Sequence, residues 1–242
     1  MKHGYDERAA LVAALSHLNI PCTEQQQDAL LTHLDLLVEK NKHLNLTRIT
    51  SYEDALILHI EDSLSLFENF SHSDGLFCDL GTGGGFPGLP LAIVSGRHGV
   101  LLDSIKKKAR AVQGFIDELG MGGQLESLGM RSEELALLKG DVFDTVVVRA
   151  VSSLNVIEEL SAPLLSFKGR LLAMRGKESS EDEKTALRAS EKLGFELVEK
   201  KAYQIGGGKY SRSLYVFEKV GEASITLPRR VGMAEKRPLG LS

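Results

Sequence analysis

The run Asp79-Leu80-Gly81-Thr82-Gly83-Gly84-Gly85 follows the short apolar stretch Leu76–Leu80 and precedes a helix-like one through Leu91–Val94. A carboxylate at a strand end followed by glycines suits a nucleotide-derived ligand. The glycines let the backbone turn tightly and let a ligand approach with no Cβ in the way. Asp103 closes the next strand-like stretch, Val100–Asp103, about 20 residues on, where a carboxylate accepts ribose hydroxyls. Two ligand classes compete. Read literally, Gly83-Gly84-Gly85-Phe86-Pro87-Gly88 satisfies the dinucleotide fingerprint of an NAD-dependent oxidoreductase. That match starts late, places Pro87 at the helix start, and sets Asp79 against an anionic pyrophosphate. The same carboxylate favours the cationic ammonium and sulfonium of S-adenosylmethionine, and the chemistry points to that cofactor.

Other reactive groups are sparse. Cys22 and Cys78 are too few for a disulfide framework or a zinc site and read as small buried hydrophobes. No metal site is expected. His59, Asp62 and Ser63 share one helix face, as a hydrogen-bond cluster or as the wall of a pocket. Lys106-Lys107-Lys108 and Arg110 open the helix after Asp103, as a solvated face or as a contact for a phosphate backbone.

These residues need a scaffold that brings successive strand ends together. The first 70 or so residues read as helices. Ala9–Leu15 is a strong helix former, and Thr23 with Gln26 makes a capping box ahead of Leu30, Leu34, Leu37 and Val38 on one face. A further helix starts at Ser51, with Leu56, Ile60, Leu64 and Phe67 inward. From Leu76 strands alternate with helices, the clearest strand being the β-branched Phe143–Val148. Phe195–Tyr203 and Ser213–Lys219 follow one another with no helix between, which predicts an antiparallel edge. The fold class is α/β, a doubly wound, mostly parallel sheet with an antiparallel edge strand. A helical extension (1–72) precedes a ligand-binding domain (73–220) and a basic C-terminal segment (221–242).

Net charge is −4, unevenly spread: residues 1–80 hold 5 basic and 13 acidic side chains, net −8, which leaves +4 for the rest. The end of the chain is basic, with Arg229, Arg230, Lys236 and Arg237. A local basic surface binds phosphate even in an acidic protein, since screening confines each field to about 8–10 Å. No apolar run reaches the ~20 residues of a membrane helix, and Met1–Glu7 lacks the core of a secretory leader. The expected compartment is the cytoplasm.

The run Asp79–Leu91 resembles the signature of the RsmG/GidB family, which methylates N7 of guanine 527 in bacterial 16S ribosomal RNA. Further motifs agree in order: Asn45-Leu46-Thr47, His59-Ile60-Glu61-Asp62-Ser63-Leu64, Leu102-Asp103-Ser104, Arg131-Ser132-Glu133-Glu134, Arg149-Ala150, and a Pro228–Gly232 ending. The resemblance spans nearly the whole chain. It implies a class I methyltransferase fold and a cofactor site of Asp79, Gly81, Gly83, Phe86, Asp103, Ser132, Glu133 and Arg149. It also implies 16S rRNA or an assembling small subunit as partner, and Asn45, His59, Arg229 and Arg230 are candidate RNA contacts. Arg48, a charge added after the Asn45-Leu46-Thr47 motif, departs from the family and is a further candidate, as an RNA contact or as a solvated side chain. Guanine N7 has a free lone pair and no proton to lose, so attack on a sulfonium methyl needs alignment rather than a general base. No catalytic acid or base is expected. Consistently, Arg149-Ala150-Val151-Ser152 stands where an Asn/Asp-Pro-Pro-Tyr run would mark methylation of an exocyclic amine. Two other classes remain distinct in test: a methyltransferase of another acceptor would lack RNA affinity, and a non-catalytic RNA-binding module would lack cofactor affinity.

Overall fold

The computed structural model describes residues 6–49, 51–149, 151–176 and 178–241. Most of the leader reading at Met1–Glu7, and Ala150 of the Arg149-Ala150 motif, lie outside the described residues. Five strands run parallel: β1 (Phe77–Leu80), β2 (Gly99–Leu102), β3 (Leu125–Leu128), β4 (Phe143–Arg149) and β5 (Leu165–Arg175). A hairpin of β6 (Phe195–Ile205) and β7 (Tyr210–Lys219) completes one sheet in the order β3-β2-β1-β4-β5-β7-β6. The expected antiparallel pairing is this hairpin: β7 runs against β5, and β6 lies outermost. Strand order reverses between β1 and β4, where a doubly wound sheet opens a ligand crevice beyond the carboxyl ends of its strands.

The chain opens with α1 (Glu7–His17) and α2 (Glu24–Leu44). The capping box forms as read: the Gln26 N–H donates to Thr23 Oγ1 and the Thr23 N–H to Gln26 Oε1. Gln26 also donates to the carbonyls of Ile93 and Val94, which fastens the start of α2 to α6 (Gly88–Ser95). The helix expected from Ser51 is composite: α3 (Tyr52–Ala55), a π-helical turn at Leu56–Glu61, and α4 (Asp62–Leu64), then the short α5 (Phe67–Phe70). Sequence periodicity does not show such a turn, which inserts one residue and re-aims the side chains around it.

Alternation along the strands builds two cores. Val147 faces one with Leu101, Leu172 and Val216, packed on Leu30, Leu34 and Leu37 of α2, Ile60, Leu89, and Phe115 of α7 (Lys106–Glu118). Val146 and Val148 face the other, with Leu135 of α8 (Ser132–Lys139), Ile157 of α9 (Leu154–Ser161) and Leu193 of α10 (Ser180–Leu193). Each of the three valines is fully buried, a contribution of about 1.5–3 kcal/mol apiece relative to exposure. Such burial holds the carboxyl end of β4, and with it Arg149, in a fixed place. The N-terminal helices thus share a core with the sheet. After β7 the chain crosses α9 and α10 and ends in α11 (Met233–Lys236), the Asn155 amide donating to the Leu239 carbonyl and Arg188 to that of Gly240.

Candidate functional site

The glycine loop lies at the strand reversal. Gly81, Gly83 and Gly85 have φ of +80°, +59° and +94°, the left-handed region that strains any residue with a Cβ. At Gly81 space is short as well, because a Cβ would come within 2.4 Å of Val151 Cγ2. The segment after β4 therefore closes over the loop.

Asp79 sits beneath this loop and is fully buried. Its Oδ2 accepts hydrogen bonds from Thr82 Oγ1 at 2.7 Å and from the Gly88 N–H at 2.8 Å, while Oδ1 has no partner. Burial pushes its pKa up to about 6, against the hold of Thr82, Gly88 and the nearby Arg149 guanidinium. A buried carboxylate with one bare oxygen is a costly group that a neighbouring cation would relieve. Asp103, at the end of β2, ties the loop to the next strand: Oδ2 accepts from the Gly83 N–H and Oδ1 from the Ile105 N–H. Ser132 and Glu133 open α8, Ser132 Oγ lying 3.4 Å from Glu133 Oε2. Glu133 Oε1 accepts from the Gly232 N–H at 2.9 Å, so the C-terminal segment does fold back onto this end of the sheet.

Phe86 is buried between two imidazoles, His33 and His59, whose ring centroids lie 4.4 and 4.5 Å from its own. His33 was invisible in the sequence, hidden in the apolar stripe of α2. Its Nε2 lies 3.0 Å from the Gly84 carbonyl, and burial lowers its pKa to about 4. Burial, reinforced by Arg149, lowers His59 to about 3, so both rings are neutral at physiological pH. His59 Nδ1 faces Arg149 Nη2 at 3.3 Å and must accept, because a guanidinium only donates. Nε2 therefore carries the proton and donates to Thr47 Oγ1 at 3.0 Å. His59 also lines the cleft beside Arg149, so it stands in the wall of the expected RNA site. Both ring nitrogens are engaged and the residue is buried.

Arg149 leaves the end of β4 and donates from Nη1 to the Leu58 carbonyl at 2.7 Å, a carbonyl of the π-helical turn. Asp62 lies 3.4 Å from the same nitrogen and 3.3 Å from Arg212 Nε of β7. Burial raises the Asp62 pKa and lowers that of Arg149, and the opposite charges work against both shifts. Arg149, Arg175, Arg212, Asp62, Met174 and Gly176 are among the residues lining a cleft of about 630 Å³. Val151, which covers Gly81, lines it as well, so glycine loop and cleft share a wall. Neither Arg175 nor Arg212 stands out in the sequence, since the pairing of Asp62 with Arg212 spans 150 residues.

Arg229 departs from the expected RNA contact. Its guanidinium pairs with both oxygens of Glu159 and donates to the Arg237 carbonyl, so it fastens the tail to α9 and is not free for RNA phosphate. Arg230, Asn45 and Arg48 are exposed, Arg230 on the tail and the other two beside α2.

A family model described as rRNA small subunit methyltransferase G matches residues 26–214. A ribosomal RNA small subunit methyltransferase G of Fervidobacterium nodosum is 41% identical over 166 residues, covering 67% of this chain and 76% of its own. A protein of the same name from Alkaliphilus metalliredigens is 30% identical, covering 97% of this chain and 99% of its own. Among solved structures, a geranyl diphosphate methyltransferase superposes with a TM-score of 0.54 at 13% identity, over 82% of this chain and all of that one. The Bacillus subtilis tRNA methyltransferase TrmK does so with a TM-score of 0.51 at 13% identity, over 66% of each. These two likenesses are of fold. With the match across residues 26–214 and a relative aligned over nearly its full length, the chain belongs to the rRNA small subunit methyltransferase G family.

Proposed function

We propose that this protein transfers a methyl group from S-adenosylmethionine to N7 of a guanine in 16S ribosomal RNA, at the position the family modifies, in the cytoplasm. Family membership supports the reaction class. The observation that carries the acceptor assignment is the arginine-lined cleft at the strand ends, which shares Val151 with the glycine loop.

The residues present fit the cofactor. Asp79 keeps a bare buried oxygen where a cationic ligand would offset its cost, and Gly81 leaves no room for a side chain. S-adenosylmethionine, when bound, supplies an electrophilic methyl on a sulfonium. Gly81, Gly83 and the Phe86 backbone would line its loop side, Asp103 would accept ribose hydroxyls, and Ser132 with Glu133 would flank the adenine. Arg149 would border cofactor and acceptor alike, and as a fixed cation it would orient guanine through O6, leaving the N7 lone pair free to take the methyl. No proton has to leave N7, and the neutral, fully engaged His59 and the twice-paired Asp62 suit an aligning role. In domain terms, 1–72 is a helical extension resting on the methyltransferase domain 73–220, and 221–242 is a strap across α9 and α10.

The test uses Gly176, which lines the cleft and has no atom within 4 Å of a Cβ added there. Gly176→Phe should raise the KM for RNA by at least tenfold while leaving S-adenosylmethionine affinity unchanged. Normal RNA kinetics in this variant would place the acceptor elsewhere.

A further inference from the structure

A second, larger cavity of about 1010 Å³ lies beside the first, between the last turn of α2, the loop after it and the start of α7. Lys42, Arg48 and Lys108 line it, from three different segments; no carboxylate lines it among the described residues, and Lys42 is held only by an exposed ion pair with Glu39, which water screens. Such a concentration of positive charge contrasts with the net −8 of residues 1–80, to which Lys42 and Arg48 belong.

The groove is built rather than floppy. The Asn41 side chain clamps the backbone of Thr47 in both directions, Nδ2 donating to its carbonyl at 3.0 Å and Oδ1 accepting from its N–H at 2.9 Å. Thr47 Oγ1 accepts from the Ile49 N–H and from His59. Ile49 lines both the groove and the arginine cleft, so the two are adjacent and share a wall. Asn45, in the left-handed region at φ 46°, turns the chain out of α2 and lines the groove with an exposed amide. Folding gives no reason for the lysines of α7. Lys106, Lys107 and Lys108 stand in a first turn without an acidic residue, against the helix dipole.

We infer that this groove holds the sugar–phosphate backbone of single-stranded RNA flanking the target guanine, with Lys42, Arg48 and Lys108 facing phosphates and Asn45 hydrogen-bonding beside them. The inference rests on the RNA-methyltransferase reading above. A base must leave its stack for a methyl donor to reach it in a cleft, so the strand on one side has to be carried away unpaired. Groove and cleft lie side by side at Ile49, so a strand leaving the cleft would pass directly into the groove. On the tail Arg229 is bound to Glu159, and its exposed Arg230, Lys236 and Arg237 do not line this groove.

The experiment measures binding of in-vitro-transcribed 16S rRNA across 50–200 mM salt, together with S-adenosylmethionine affinity and methyl transfer. Each phosphate contact removed from a single strand lowers the log–log salt slope by about 0.7, so Lys42→Gln/Arg48→Gln/Lys108→Gln should lower it by about 2. The affinity gap from wild type should then narrow about 18-fold between 50 and 200 mM, with cofactor affinity unchanged. Lys42 and Arg48 are exposed, so their double variant keeps the fold and should lower the slope by about 1.4. Arg48→Lys, which keeps the charge, should retain the slope, as should Lys192→Gln on the exposed face of α10. If wild type binds and methylates the RNA but the groove variants keep its slope and affinity, the groove is not the strand's path. If wild type neither binds nor methylates RNA, the functional reading itself fails and the groove assignment with it.

Discussion

Replacing Asp79 by asparagine separates a buried charge from the bracket it forms. Burial raises this carboxyl from the ordinary 3.8 to about 6. The folded protein therefore holds the proton more tightly than the unfolded chain. The contribution of Asp79 to stability is greatest below about pH 4, falls as pH rises towards 6, and stays at the lower level above. At 1.36 kcal/mol per pH unit the loss is about 3 kcal/mol. In Asp79→Asn the amide oxygen can still accept from Thr82 and Gly88. The amide nitrogen, placed where Oδ1 has no partner, adds a pH-independent penalty of about 1–3 kcal/mol. Urea unfolding of both proteins at a series of pH values, without methyl donor, reads the difference. Relative to wild type, the variant should gain about 3 kcal/mol between pH 3 and 7.5. At pH 7.5 it should also bind S-adenosylmethionine more weakly by about 1–3 kcal/mol, the scale for losing a charged partner. A difference flat with pH would refute the buried-charge argument, and unchanged cofactor affinity would leave Asp79 as a loop bracket alone.

Gly81→Ala should destabilise the fold by about 1–2 kcal/mol through its positive φ and also impair cofactor binding, because the new methyl collides with Val151; calorimetry should show both. Arg229→Ala leaves Glu159, 4% exposed, without its partner, and should cost about 3 kcal/mol by denaturant unfolding while the salt slope of RNA binding stays as in wild type. With His33 held at about 4 and His59 at about 3, methyl transfer under cofactor saturation should show no histidine inflection near pH 6.5, and such an inflection would mean that one of them titrates in the reaction.

The order of strands and helices was legible because it is written in local pattern. Glycines mark the turn after β1, the β-branched run marks β4, and Thr23 with Gln26 marks the start of α2. What local pattern does not carry is pairing across the fold. His33 occupies a core position of α2 and reads as a break in an apolar stripe until the fold sets it on Phe86. Asp62 could be placed on a helix face but not opposite Arg149 and Arg212, which arrive from two other strands. The tail shows the converse error: Arg229 looked like surplus charge because Glu159, 70 residues earlier, lacks any motif to announce its partner. The π-helical turn, which offers the Leu58 carbonyl to Arg149, leaves no mark in the residue types.

The central claim is that the glycine loop and the arginine cleft together pass a methyl group to guanine N7. Its most direct test incubates the protein with isotopically labelled S-adenosylmethionine and unmodified small-subunit RNA, free and in assembled particles. The RNA is then treated with borohydride and aniline, which cleave at N7-methylguanosine, and the stop is mapped by primer extension. The account predicts label in the RNA and one strong stop at a single guanine of the 16S molecule, lost in Gly176→Phe. Label on an exocyclic amine or on C5 of a pyrimidine, or binding of S-adenosylmethionine with no transfer to either form of the RNA, would contradict it.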